Sequence, residues 1–298
     1  MSFHLTRRLD DGKRGRLRKG MYLLPSMFTT LNLAAGFYAI VRAVQGSANQ
    51  VDFWQFDYAA KAIGIAVLFD GLDGTIARLT NTTSDFGKEL DSLADVVTFG
   101  VAPAVLAWMW GFRQLPLVLD DDLRKNLIQF GVIACFVFLA AGAMRLARFN
   151  ITLNPQPKNP GRPGKKYFVG MPIPGGAGCL AAVVHFRLGQ PVQVWWSAVL
   201  WIGYILLCAF LMVSTWRFWS TKSIDFKTRK PARFLLIFVV FAGMIWFFSR
   251  YVLIGIAMLY MISGLLARLL YSLQKPSQPA APNAPAADPN ATPEGSSL

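Results

Sequence analysis

Long apolar runs, separated by short polar and basic segments, make up most of this chain of 298 residues. A helix needs about 20 mainly apolar residues to cross the hydrocarbon core of a bilayer. Eight runs approach that length, at 25–43, 58–79, 91–112, 127–147, 171–189, 193–215, 233–249 and 251–271. The pattern therefore predicts an all-α fold, a polytopic membrane helical bundle with about eight transmembrane helices.

The two ends of the chain differ from this bundle, which occupies residues 21–272. Residues 1–20 form a basic arm, which either lies on an anionic leaflet as an amphipathic helix or remains solvated. Residues 273–298 are rich in Pro and Ala and contain almost no large apolar side chain. Such a segment cannot bury enough surface to order itself, so we expect a disordered tail.

Composition supports a membrane protein, because 54% of the residues are hydrophobic and only 15% are charged. The net charge of +14 is spread over short clusters between apolar runs, which favours lipid headgroups or an anionic nucleotide as partners and argues against nucleic acid. Cys135, Cys179 and Cys208 lie inside apolar runs without metal-ligand spacing, and we interpret them as core residues. His4 and His185 are far apart in sequence, so no histidine site is expected.

The distribution of basic residues predicts an orientation in the membrane. If the N-terminus is cytoplasmic, 23 of the Lys and Arg residues fall on the cytoplasmic side of the eight spans and 7 on the opposite side. Cytoplasmic loops of membrane proteins carry the excess of Lys and Arg. We therefore expect a multi-pass protein of the cell (inner) membrane with both termini in the cytoplasm.

Four aspartates, Asp70, Asp73, Asp91 and Asp95, interrupt the second and third runs. An ionised carboxylate between apolar segments is costly unless a cation offsets its charge. Helical spacing places Asp70 and Asp73 on one face of the second helix, and Asp91 and Asp95 on one face of the third. If residues 79–86 fold these two helices back on each other, all four carboxylates converge on one small space at the cytoplasmic face.

Four carboxylates that lie so close together repel one another unless protons or metal ions reduce their charge. Oxygen ligands without a nearby His or Cys suit Mg²⁺ or Mn²⁺ better than zinc or copper. Two such ions can clamp the oxygens of an in-line displacement at phosphorus. The aspartates therefore predict a site for two Mg²⁺ or Mn²⁺ ions. A transporter or ion channel whose carboxylates line a path is the alternative from a different class.

The aspartates belong to a spaced pattern, D-x2-D-G-x2-A-R-x8-G-x3-D-x3-D, with eight fixed residues over twenty-six positions. The pattern resembles the signature of the CDP-alcohol phosphotransferases, membrane enzymes that transfer a phosphatidyl or phosphoalcohol group from a cytidine diphosphate donor to a hydroxyl. This resemblance implies a CDP-diacylglycerol-dependent enzyme. It assigns the metal ions to the four aspartates and the donor contacts to Gly74, Arg78, Ser84, Gly87, Thr29 and Asn32.

Further segments are similar to the membrane-bound phosphatidylserine synthases of that family. They are residues 25–32 (PSMFTTLN), 91–104 (DSLADVVTFGVAPA), 145–150 (RLARFN) and 168–178 (FVGMPIPGGAG). The resemblance implies L-serine as the acceptor and a homodimer. Other acceptors stay open, namely glycerol 3-phosphate, inositol phosphate, or serine with an ether-linked archaeal donor.

The predicted reaction needs a base for the serine hydroxyl, because an aliphatic hydroxyl is a poor nucleophile until its proton is removed. Asp95 is our candidate base, and Asp91 is the second candidate catalytic residue.

The serine carboxylate needs a cationic partner. A guanidinium binds a carboxylate in a bidentate manner, although an arginine at the end of an apolar run can also simply extend to the membrane surface. The predicted acceptor-binding residues are Arg145, Arg148, Asn150, Lys165 and Lys166.

Overall fold

The computed structural model describes residues 27–48, 51–80, 85–151, 167–219 and 231–273. Within these ranges, the side chains of residues 73–80, 85, 167–168, 219, 231–238, 240–242 and 270–273 are outside the description. The predictions for the basic arm at 1–20 and for nearly all of the tail at 273–298 concern residues outside the described ranges.

The described residues are almost entirely helical. The helices are α1 (Met27–Ala48), α2 (Trp54–Thr80), α3 (Asp85–Asp95), α4 (Ala102–Trp108), α5 (Asp121–Ile151), α6 (Ile173–Phe186), α7 (Trp195–Val213) and α8 (Pro231–Leu273). Two short strands, β1 (Tyr167–Val169) and β2 (Arg217–Trp219), form an antiparallel pair in which Phe168 lies opposite Phe218. The sequence pattern gives no indication of this pair.

Within the described ranges, five helical segments are long and apolar enough to cross a membrane: Met27–Ala48, Phe86–Arg113, Asp121–Ile151, Trp195–Val213 and Gly243–Leu269. The charged helix α2 and the 14-residue helix α6 are not among them. The predicted helical membrane fold is confirmed, whereas the number of eight crossings stays a prediction.

Two widened helical turns make α3 and α4 parts of one continuous helix. The first is a π-helical turn at Val96–Val101, directly after Asp95, and the second lies at Met109–Arg113. Pro103 follows the first turn, and proline has no backbone N–H with which to continue the α-helical hydrogen bonds. The N–H of Ala102 accordingly reaches the C=O of Val97, five residues back. The interruption is therefore built into the sequence next to the predicted site.

Helix α8 is kinked at Phe248, where φ is −129° and ψ is 31°. The kink falls between the predicted spans 233–249 and 251–271, so the helical geometry is interrupted where the sequence predicts that one span ends and the next begins.

The core lies between helices that pack closely, chiefly α5 along α7 and α2 along α6. Lipid tails are as apolar as leucine, so membrane helices associate through close packing and small residues. Gly131 illustrates this, because an added Cβ would lie 2.5 Å from ring atoms of the buried Phe112. Large apolar side chains such as Phe136, Trp246 and Leu259 are exposed, as expected on surfaces that face lipid.

The buried side chain of His185 joins three helices. Its Nδ1 lies 2.5 Å from Asp57 Oδ1, and its Nε2 lies 2.9 Å from Ser249 Oγ, next to the kink in α8. Lys61 Nζ is 2.7 Å from Asp57 Oδ2. Each polar group thus has a partner, as buried polar groups require. Thirteen residues separate Asp57 from Asp70, or about 20 Å along α2, so this cluster is structural and remote from the aspartate site.

The β1–β2 pair connects the start of α6 to the end of α7. Gly170 N donates to Trp216 O over 2.8 Å, and Met171 N donates to Leu211 O over 2.9 Å. Gly170 has φ +72°, and a Cβ at this position would lie 2.6 Å from the carbonyl oxygen of Ser214. Only glycine fits this close approach without strain.

Candidate active site

Three of the four predicted aspartates come together, one from α2 and two from α3. One carboxylate oxygen from each of Asp70, Asp91 and Asp95 lies within 4.8 Å of the others. Asp95 is buried, with 8% of its surface exposed, whereas Asp70 and Asp91 are half-buried. The predicted convergence is therefore present for these three residues.

Several predicted site residues cannot be placed in the same way. The side chains of the following residues lie outside the described part of the structure: Asp73, Gly74, Arg78, Ser84, Lys165 and Lys166. Three of them, Asp73, Gly74 and Arg78, belong to α2, in the turns that follow Asp70. The roles predicted for all six stay predictions.

Helix α1 contributes a buried amide to the aspartate cluster. Asn32 Nδ2 donates a long hydrogen bond of 3.5 Å to Asp95 Oδ1, and Asn32 is only 1% exposed. Its Oδ1 is buried and has no hydrogen-bond partner among the described residues. A buried acceptor without a partner is unfavourable, so this oxygen is suited to a donor group of a bound substrate. Thr29 is also buried, three residues before Asn32 on α1, and Gly87 precedes Asp91 by one turn of α3.

Of the predicted acceptor residues, Arg145 is directed into the protein. It is 7% exposed, its guanidinium interacts electrostatically with the carboxylate of Asp95, and its Nε has no hydrogen-bond partner among the described residues. The guanidinium carbon lies 5.8 Å from the ring centroid of Phe149. Arg145 is therefore not extended to the membrane surface, which was the alternative interpretation of its position.

Arg148 and Asn150 make different contacts. Arg148 Nη1 donates to Val213 O over 3.1 Å, so this side chain satisfies a carbonyl at the end of α7. Asn150 is exposed, and its Nδ2 donates to Ser92 Oγ over 2.9 Å, on the residue after Asp91. Arg145 therefore lies within electrostatic range of both Asp95 and Arg148, whereas the Arg148 guanidinium bonds a carbonyl at the end of α7.

Comparison with known proteins gives this site a family. A family model described as CDP-alcohol phosphatidyltransferase matches residues 22–186, which include α1, all three clustered aspartates and Arg145. The chain belongs to the CDP-alcohol phosphatidyltransferase family. The resemblance of the spaced aspartate pattern to this family is thus confirmed.

Several curated proteins similar to this chain are named CDP-diacylglycerol–serine O-phosphatidyltransferase. The protein of Helicobacter pylori is 31% identical over 252 residues, which cover 83% of this chain and 91% of the relative. The protein of Mycobacterium leprae is 29% identical over 252 residues, covering 83% and 74%. The protein of Saccharomyces cerevisiae is 39% identical over 150 residues, covering 49% and 48%.

The donor set of the cluster fits the divalent metal ions expected in a CDP-alcohol phosphatidyltransferase. All its described ligand atoms are carboxylate oxygens, and oxygen is the ligand that Mg²⁺ and Mn²⁺ prefer. Two oxygens bound to one such ion, at about 2.1 Å each, lie up to about 4 Å apart. The observed spacing is thus close to that of a ligand set, and Asp70, Asp91 and Asp95 are suited to hold a divalent ion.

One residue near this site of the CDP-alcohol phosphatidyltransferase is absent from the sequence predictions. Tyr260, on α8, interacts electrostatically with Arg145, and its ring lies 5.5 Å from that of Phe218 on β2. It belongs to an apolar run, lies outside the region matched by the family model, and has no motif around it. No signal in the sequence could have identified it.

Proposed function

We propose that this protein is a phosphatidylserine synthase, which transfers the phosphatidyl group of CDP-diacylglycerol to the hydroxyl of L-serine and releases CMP. The observation that carries this proposal is the cluster of Asp70, Asp91 and Asp95, with the buried cation Arg145 within electrostatic range of Asp95. Relatives that span most of the chain are named for the same reaction. The cluster accounts for phosphoryl transfer, and Arg145 accounts for an acceptor with a carboxylate.

In the proposed reaction, the serine oxygen attacks the phosphorus that carries the diacylglycerol. A new bond forms between this phosphorus and the serine oxygen, while the bond to the oxygen of CMP breaks and CMP leaves as an anion. Asp95 accepts the proton of the serine hydroxyl, as a general base close to the reacting atoms. Because Asp95 is 8% exposed, its surroundings also limit access of water, which would otherwise compete with serine.

The metal ions belong to the same proposal. When bound by Asp70, Asp91 and Asp95, and by Asp73 as the predicted fourth ligand, Mg²⁺ or Mn²⁺ supplies positive charge that neutralises the diphosphate and stabilises the leaving CMP. The protein's part is to hold the carboxylates together on two adjacent helices, which fixes where the diphosphate can bind. Asn32, with its buried unpartnered Oδ1, and the predicted contacts Gly74, Arg78 and Ser84 would orient the donor around that point.

The decisive test is a CMP-release assay with purified protein and CDP-diacylglycerol. We expect CMP release on addition of L-serine, and not with glycerol 3-phosphate or inositol phosphate. Chelation of divalent ions by EDTA should stop it, and Mg²⁺ or Mn²⁺ should restore it. Comparable CMP release with glycerol 3-phosphate would contradict the choice of serine as acceptor. A parallel assay with an ether-linked archaeal donor would show whether the enzyme prefers ester-linked or ether-linked donors.

Replacement of Arg145 by Ala should weaken serine binding selectively. A hydrogen bond between charged groups contributes about 1.5–3 kcal/mol, so we expect the KM for serine to rise about 10- to 100-fold while the KM for CDP-diacylglycerol changes little. Arg148→Ala is the matched control, because Arg148 bonds the Val213 carbonyl at the end of α7. Equal increases in both KM values for Arg145→Ala would assign Arg145 to the donor instead.

The orientation and assembly of the enzyme are also proposals. The excess of basic residues on one side supports a protein of the inner membrane with cytoplasmic termini and a cytoplasmic active site. The three native cysteines are buried, so single introduced cysteines can be labelled selectively. In intact cells, a membrane-impermeant thiol reagent should label Val118→Cys and spare Ser277→Cys; the reverse would invert the topology. A homodimer, suggested by the resemblance, is testable by cross-linking.

A further inference from the structure

A hydrogen bond joins α1 to the π-helical turn that directly follows Asp95 in the chain. Thr98 Oγ1, in the turn Val96–Val101, donates to the backbone carbonyl of Asn32 over 3.1 Å. Asn32 in turn donates from its side chain to Asp95 Oδ1 over 3.5 Å. Thr98 is fully buried and Asn32 is 1% exposed, so both hydrogen bonds are shielded from water. A short chain of contacts therefore leads from Thr98 to the catalytic carboxylate.

The direction of the Thr98 hydroxyl is unusual for a helix. Serine and threonine within helices commonly donate to a carbonyl of their own preceding turn. Here the hydroxyl reaches a carbonyl of another helix, at a turn that has departed from α-helical geometry beside Pro103. Because π-helical turns are often found at functional sites, this departure next to Asp95 is informative.

Gly36 makes the approach possible. It lies one helical turn after Asn32 on α1, and a Cβ at this position would come within 2.5 Å of Thr98 Oγ1 and 2.7 Å of Thr98 Cα. These distances are shorter than real Cβ contacts, and one of them is to backbone, which cannot rotate away. The backbones of α1 and the π-helical turn are thus as close as the absence of a side chain allows.

We propose that Thr98, seated against Gly36, is a positioning residue that fixes α1 relative to Asp95 and thereby holds the Asn32 amide on the Asp95 carboxylate. Thr98 touches neither substrate nor metal in this proposal. It acts by restricting the position of α1, so that Asp95 keeps one orientation through the catalytic cycle. Groups that orient a metal ligand or a catalytic base from behind typically contribute about 10- to 100-fold in activity or metal affinity. The inference rests on the proposed function for the role of Asp95 as base.

The test compares Thr98→Val with Thr98→Ser in the purified protein. Valine has nearly the shape of threonine but cannot donate a hydrogen bond, whereas serine keeps the donor. For Thr98→Val we expect kcat to fall about 10-fold, the Kd for Mn²⁺ to rise several-fold, and the KM for serine to change less than about twofold. Thr98→Ser, which keeps the hydroxyl donor, should have nearly the kcat and the Mn²⁺ affinity of the wild type. Mn²⁺ binding, followed by electron paramagnetic resonance without substrates, is independent of turnover.

A second variant tests the contact from the other side. Gly36→Ala should reproduce the lower kcat and the weaker Mn²⁺ binding, because the added methyl group displaces Thr98. If Thr98→Val lowered only the melting temperature and kept the kcat and Mn²⁺ affinity of the wild type, Thr98 would be structural and the inference wrong. Failure of Thr98→Ser to restore kcat would also overturn it. Wild-type CMP release with serine, measured alongside, tests the proposed function separately.

Discussion

Replacement of Asp91 or Asp70 by Asn is expected to abolish both turnover and its dependence on divalent metal. Each of these carboxylates contributes an oxygen to a cluster whose members lie within 4.8 Å of one another. Asparagine keeps the size of the side chain but removes the negative charge that holds a cation. Metal ions contribute several kcal/mol of transition-state stabilisation at phosphorus, which corresponds to a loss of at least about 1,000-fold in kcat. CMP release as a function of Mn²⁺ concentration measures both effects.

The control for this experiment is Asp57, a buried aspartate on the same helix as Asp70. Asp57 pairs with His185 and Lys61 about 20 Å from Asp70. Asp57→Asn should lower the melting temperature, because it weakens the contacts that join α2, α6 and α8. The metal dependence of the remaining activity should stay as in the wild type. An Asp91→Asn enzyme that kept metal-stimulated turnover would contradict the assignment of this cluster.

The convergence of the aspartates could be predicted because its physical causes are local. Asp91 and Asp95 are one turn apart, helical geometry places them on one face, and the cost of a charge between apolar segments requires a partner nearby. Only four residues separate the end of α2 from the start of α3, so these two helix ends must lie close together. The same reasoning predicts the helical membrane fold from the lengths of the apolar runs.

Features that depend on distant pairs could not be predicted. His185 and Asp57 are 128 positions apart, and His185 and Ser249 are 64 positions apart, so sequence spacing carries no information about either contact. The role of Arg148 depends on where α7 ends, since its partner is the carbonyl of Val213. Tyr260 and Arg145 are 115 positions apart, so sequence spacing carries no signal for their proximity either. Pro103 signals an interruption of the helix, but not that Thr98 would donate to α1.

Replacement of Asp95 by Asn should separate binding from chemistry. Asp95 is the most buried of the three described carboxylates, it accepts a hydrogen bond from Asn32, and it interacts with the cation Arg145. Asp95 thus belongs to the metal cluster and lies within electrostatic range of the proposed serine site, where a base for the serine hydroxyl is needed. General-base catalysis typically contributes about 100- to 10,000-fold, so we expect kcat to fall by about that factor.

Binding of the donor should survive in the Asp95→Asn variant, because Asp70 and Asp91 still contribute carboxylates to the cluster. We expect the Kd for CDP-diacylglycerol, measured in the presence of Mn²⁺, to stay within about tenfold of the wild-type value. A change of about this size is typical when one group near a bound metal ion is replaced. A single-turnover experiment with saturating serine isolates the chemical step. Substantial single-turnover activity in this variant would show that another group accepts the serine proton. Loss of donor binding together with turnover would make Asp95 primarily a metal ligand.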